Sequence, residues 1–213
     1  MCLLGPVVSI HSHRGDVEAA ARLTALHPEI ATSDDLTERT AYLWAHSAQL
    51  LAGGDAQAAL DEAARSWEAR DEVGISSEVG KETYVVAVDA ALALGDIERA
   101  DRIVATVEEM GAGGRPQSMA AHAMRHRALI GAAAGDDRRS DQLFRRASAH
   151  FRELAMPFPM AVTLLDHGRW LAGTGATAEA APLIEAAGEV FARLEAKPWL
   201  DRLGHLPGEA LSA

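Results

Sequence analysis

The chain has 213 residues, with 20 Lys and Arg against 31 Asp and Glu for a net charge of −11; 44 residues are Ala and only 5% are aromatic. This acid excess argues against bulk binding to DNA, RNA or anionic lipid, because neutralising phosphates takes clustered Lys and Arg. No apolar run reaches the ~18–20 residues that cross a bilayer, and the single cysteine, Cys2, excludes a disulfide framework and an all-cysteine metal site.

Few cysteines fit a reducing cytoplasm, which is the expected location. The opening stretch MCLLGPVVSI is apolar but does not read as a signal peptide. No basic n-region precedes it, Pro6 interrupts the run, and no small-x-small cleavage pattern comes before His11.

From Gly15-Asp16 onward a period emerges. Gly-Asp returns at Gly54-Asp55, Gly95-Asp96 and Gly135-Asp136, with Gly175-Ala176 as a degenerate fifth copy, so the glycines lie 39, 41, 40 and 40 residues apart. Five residues after each glycine stands a small side chain: Ala20, Ala59, Ala100, Ser140 and Ala180. The physical logic is the same in each copy. A helix rich in Ala and Leu runs into a glycine, which adopts the left-handed conformation that ends it. The Asp then caps the next helix, and the small residue lets the two helices approach closely.

The predicted units are 1–30, 34–74, 76–112, 116–155 and 157–196, followed by a cap over 198–206 and a disordered tail over 207–213. Together 1–206 reads as one repeat domain. Ser33 or Asp34 is expected to cap the helix opening the second unit, and Ser76 or Ser77 that of the third. Pro116, Pro159 and Pro198 fall where a first-turn proline is tolerated. Pro182 lies a turn inside its helix and predicts a small distortion there. No segment alternates with strand periodicity, so the fold class is all-α: a right-handed superhelix of about five helical hairpins.

The stretches GDVEAA, GDAQAA and GDIERA resemble the inter-helix turn of the tetratricopeptide repeat (TPR), although the period of about 40 exceeds that family's usual length of about 34. In residues 151–203, Phe191-x-x-Leu194 followed by Lys197-Pro198-Trp199 and Arg202 is similar to the terminal signature of large bacterial regulators. These are the LuxR-type ATPase regulators and the cyclases with attached ATPase and TPR-like regions. The resemblance implies a signal-transduction or transcriptional-regulator context, in which the chain would be the repeat region, or a stand-alone or truncated relative, of such a regulator. A chain that starts inside a repeat unit is expected to present an uncovered apolar face at that end.

Motifs with chemical meaning are sparse. GAGGRP at 111–116 follows a helix, not a strand, and has Pro116 where a dinucleotide loop needs its third glycine. His122 and His126 are spaced to share a metal, yet no third ligand accompanies them, so a surface or partly packed pair is expected. Asp166 and His167 adjoin but project to different sides of their helix. No catalytic set can be assembled; the chain reads as a non-enzyme without cofactor or metal.

Charge is distributed unevenly. Residues 53–111 carry 14 acidic and 5 basic side chains, whereas 115–152 carry eight Arg against three Asp. On a helical wheel Arg138, Arg139, Arg145, Arg146 and Arg152 share one face, opposite Leu143, Phe144, Ala147, Phe151 and Leu154. That face is either a solvated outer face or a candidate surface for an acidic partner or an anion. By transfer from the TPR pattern, the concave groove would be lined by Trp44, Glu82, Val85, Asp89, His122, Arg125, Leu129, Leu165 and Arg169, with Trp44 tending to core packing and the set alternatively paired among themselves or partly buried between units. The leading expectation is a protein–protein interaction module that takes a protein or peptide partner. A small-molecule effector inside the superhelix and self-association as a homodimer are the alternatives; nucleic acid and membrane are not expected partners.

Overall fold

The computed structural model describes residues 3–111 and 113–204. Cys2, the last two residues of the expected cap and the tail over 207–213 lie outside the described residues. Within them the protein is all-α and contains no strand. The helices are Leu4–Arg14 (α1), Val17–Ala25 (α2), Leu36–Ala52 (α3), Ala56–Glu68 (α4), the single turn Arg70–Val73 (α5), Glu78–Ala93 (α6), Ile97–Glu108 (α7), Gln117–Ala133 (α8), Asp137–Glu153 (α9), Pro157–Gly173 (α10), Thr177–Arg193 (α11) and Lys197–Leu203 (α12). A 3-10 turn at Pro28–Thr32 joins α2 to α3. The chain forms two compact units, 1–115 and 116–213. They divide in the glycine-rich connection that the sequence reading placed inside one domain.

The turn chemistry is that expected from sequence. Gly15, Gly54, Gly95, Gly135 and Gly175 all have φ between 72 and 89°. Each is followed by an amide that reaches back to a carbonyl five residues earlier, as in Asp16 N to His11 O (2.9 Å) and Asp136 N to Gly131 O (2.9 Å). This bond satisfies one of the carbonyls a helix end leaves open. Asp16, Asp55 and Asp96 then accept from the backbone N–H of Ala19, Ala58 and Arg99 at 3.1, 3.0 and 3.0 Å. Asp136 starts α9 without a side-chain cap bond.

One cap expectation shifts by a residue and the other holds. The cap of α3 is Asp35, which accepts from Thr37 and Glu38, while Ser33 Oγ accepts the Asp35 amide. Of the two serines before α6, Ser77 is the cap. Helix α11 remains continuous from Thr177 to Arg193 through Pro182.

The same turn also occurs where no glycine signals it. Ala155 and Glu195 adopt φ of 53 and 58°, and Met156 N and Ala196 N bond to Phe151 O and Phe191 O, both at 2.9 Å. Consequently α9, α10, α11 and α12 begin at Asp137, Pro157, Thr177 and Lys197, one every 20 residues. In the C-terminal unit the structural period is a single helix plus turn.

Close packing explains the alanine content. Ala20, Ala59, Ala100, Ser140 and Ala180 are all buried. A Cβ added at Gly131 on α8 would meet Ser140 Oγ at 2.8 Å, and one at Gly168 on α10 would meet Ile184 Cγ1 at 2.6 Å. Larger side chains at those positions would force the helices apart. In the first unit Trp44, Ala63, Val86 and Ala87 form a cluster between α3, α4 and α6. In the second, Leu164, Leu165, Val190 and Phe191 pack beneath Trp199, Leu200 and Leu203 of α12.

Candidate functional site

The expected groove residues divide by environment. In the first unit Trp44 is core: it is 4% exposed, and a Cβ placed on Gly5 would collide with its ring. That matches its tendency to core packing and removes it from any groove surface. Glu82, Val85 and Asp89 of α6 are half-buried. Burial pushes the Glu82 carboxyl up to about 7, and Glu78 one turn earlier adds to the rise. Lys81 opposes it weakly, since its Nζ lies 2.6 Å from Glu78 Oε2.

In the second unit Leu165 is buried in the α10–α12 core, where it cannot line a groove. Arg125, expected as a groove cation, is 5% exposed. Its Nε donates to Asp166 Oδ2 at 2.7 Å, and its Nη1 donates to Nε2 of the fully buried His126 at 3.1 Å. That second bond makes Nε2 the acceptor and leaves the proton of neutral His126 on Nδ1. His122 sets the edge of its ring against Phe151 (centroids 4.7 Å apart) and stacks on His126 at 6.1 Å. The two histidines are thus committed to packing and to Arg125; of the surface and partly packed alternatives, the second applies. Leu129 and Arg169 are half-buried. Among the described residues, no group of three His, Cys, Asp or Glu could hold a metal.

A second polar network joins α9, α10 and α11. His167, 2% exposed, donates Nε2–H to Asp141 Oδ1 at 2.9 Å. Arg145 Nε bonds both Asp141 oxygens at 3.0 and 2.9 Å, and its Nη2 lies 3.6 Å from Glu179 Oε2. The imidazole stacks on Phe144 at 5.1 Å and on Trp170 at 5.9 Å. Desolvation holds the His167 pKa below its usual value despite the carboxylate beside it. Burial would raise Asp141, but the bonds from Arg145 and His167 outweigh it and lower the carboxyl. At neutral pH the pair is therefore a carboxylate and a neutral imidazole. Sequence reading missed this network, because residues 26 positions apart give no local signal. Only the repeat phase, with one face of each first helix turned to the preceding second helix, could have suggested it.

The arginine face of α9 is built from below by Phe144, Ala147 and Phe151, all buried, with Leu143 and Leu154 half-buried at its border. Arg138, Arg139, Arg145, Arg146 and Arg152 are all exposed on the opposite side. Arg145 is engaged by Asp141 and Glu179, which raises its pKa through the Asp141 hydrogen bonds first. Arg138, Arg139, Arg146 and Arg152 form no ion pair among the described residues. At 1.5 Å rise per residue the stripe from Arg138 to Arg152 spans about 21 Å. No helix among the described residues is long and apolar enough to cross a membrane. No family model, no curated protein and no solved structure matches the chain.

Proposed function

We propose that the chain is a non-enzymatic interaction module of TPR-like repeats that receives an acidic segment of a partner protein on the arginine face of α9. The observation that carries this reading is the set of four exposed arginines, Arg138, Arg139, Arg146 and Arg152, on one helix with no ion pair among the described residues. A guanidinium offers a planar fork of donors that fits carboxylates two bonds at a time. Phe144 and Phe151 anchor the helix in the core, so the cations are presented in a fixed array. An acidic polypeptide suits the face better than nucleic acid, because the chain-wide charge of −11 repels a long polyanion. In a regulator of the kind residues 151–203 resemble, such binding would relay the partner's presence to attached domains; that relay is analogy.

The test uses three fluorescent probes in one buffer: a Glu-rich dodecapeptide, a 20-base-pair DNA and a Glu-to-Gln version of the peptide. The acidic peptide is expected to bind with an affinity that falls with salt. Reversing three charges together (Arg138→Glu, Arg139→Glu, Arg146→Glu) should weaken it by roughly tenfold or more. Tighter binding to DNA, or no response to charge reversal, would overturn the reading. Since all three side chains are exposed, the triple variant should keep its helical signal.

A further inference from the structure

The arginines of α9 are ordered as well as exposed. Arg138, Arg145 and Arg152 stand seven residues apart, and so do Arg139 and Arg146. Seven residues of α-helix rise about 10.5 Å and return to within about 20° of the same face. The five cations therefore form two columns along α9, set about 100° apart around its axis. Between the columns lie exposed Gln142 and half-buried Ala149, one neutral and one small. Two charged walls thus flank an uncharged floor, and exposed Glu153, seven residues after Arg146, ends the second column.

The contacts of Arg145 show what a column accepts. Its Nε donates to both Asp141 oxygens at 3.0 and 2.9 Å, and its Nη2 lies 3.6 Å from Glu179 Oε2. Glu179 stands in the first turn of α11. One member of the first column therefore already meets a carboxylate carried by a neighbouring helix. The spacing favours the same geometry for the rest. Same-side carboxylates of an extended chain recur every ~6.6–6.8 Å, so they meet the ends of a column and miss its middle. Carboxylates at i and i+7 of a helix recur at about 10.5 Å, in step with every arginine.

Resting on the reading of α9 as an acidic-partner surface, we infer that the partner's segment is an α-helix laid lengthwise along Arg138–Arg152, with Asp or Glu in two columns of seven-residue phase. Small residues between its columns would sit over Gln142 and Ala149. An acidic tail without helical phase is the poorer occupant, because it leaves Arg145 and Arg146 out of register.

The test compares three peptides of equal length and charge. One is a hydrocarbon-stapled helix with its glutamates in the two heptad columns. The second is a stapled helix with the same glutamates spread evenly around its axis, and the third is the heptad sequence broken by prolines. Circular dichroism checks the helicity of each. The in-phase helix is expected to bind roughly tenfold more tightly than either of the others. Gln142→Arg combined with Arg146→Gln keeps the net charge but moves one cation from the second column to the floor. It should erase the preference for the in-phase helix, and since both positions are exposed the protein's own helical signal should not change. Equal, salt-sensitive binding of all three peptides would overturn the helical partner and leave the acidic-partner reading standing. A preference that survives the double variant would overturn it as well. No binding by any of the three would overturn both.

Discussion

His167 donates to Asp141 at 2.9 Å, tying α10 to α9, while its sequence neighbour Asp166 accepts from Arg125 of α8 at 2.7 Å on the other side of α10. One helix thus holds both of its neighbours through adjacent residues. The His167 link is sensitive to acid. Its folded pKa lies below its ordinary value, so the neutral imidazole contributes stability that is complete above about pH 6.5 and is lost as pH falls toward the folded value. Urea unfolding should therefore show the wild type losing stability relative to His167→Gln between about pH 7 and pH 5. His167→Gln should flatten that slope. A slope unchanged by the substitution would place the acid sensitivity elsewhere.

In the Arg125–Asp166 pair the arginine is buried and the aspartate half-buried, with side-chain exposures of 7 and 19%. Removing one partner weakens the compensation of the other's charge in a poorly solvated site. Arg125→Met or Asp166→Leu alone should cost about 3 kcal/mol or more in chemical denaturation, whereas the double variant should recover much of that loss. Arg125 would then be confirmed as a structural cation. Equal, additive losses in the single and double variants would show that the pair is not coupled.

The period was legible because two residue types are strongly favoured in this architecture. A helix end in left-handed conformation favours glycine, and helices at close approach need Ala or Ser, so Gly95 and Ala100 appear in the sequence as a spacing. Ala155 and Glu195 escaped notice because the same turn tolerates an L-residue at a cost, which leaves no compositional trace. The groove set was only partly legible for a different reason. Counting back from a glycine gives a helix face, but it does not say whether that face meets solvent or another helix. Trp44 and Leu165 meet the core, and Arg125 meets Asp166 at 41 residues' separation, where no local pattern reports the contact. The α9 face was readable because five arginines opposite two phenylalanines decide both sides of one helix.

Those left-handed positions make a paired prediction. Gly135 has φ of 77° with open space where a Cβ would go, so Gly135→Ala should destabilise through backbone strain alone, by about 1 kcal/mol. Ala155 has φ of 53° in the equivalent turn, and Ala155→Gly should be neutral to stabilising by up to about 1 kcal/mol, relief of strain outweighing added chain entropy. For a chain of this size each kcal/mol moves the Tm by roughly 2–4 °C, within reach of calorimetry. A destabilising Ala155→Gly would mean that the Ala155 methyl group makes contacts worth more than the strain.

Glu82 works in the opposite sense to His167. Its folded pKa is raised to about 7 from an ordinary carboxyl value of 4.5, chiefly by burial and then by Glu78. The stability of the protonated form is therefore complete below about pH 4.5, declines as the unfolded chain ionises, and is lost as pH rises through about 7. Half-burial lets solvent screen part of this effect, so its size is best read as a change between two pH values. Glu82→Gln keeps the shape of the side chain and removes the titration. It should raise the Tm near pH 8 by roughly 2–5 °C while leaving it within about 1 °C near pH 5. An equal shift at both pH values would point to altered packing rather than ionisation. A partner that delivers an arginine or lysine to this carboxylate would relieve the same penalty. Its binding should accordingly tighten as pH rises from about 6 to 8 in the wild type, and lose that dependence in Glu82→Gln.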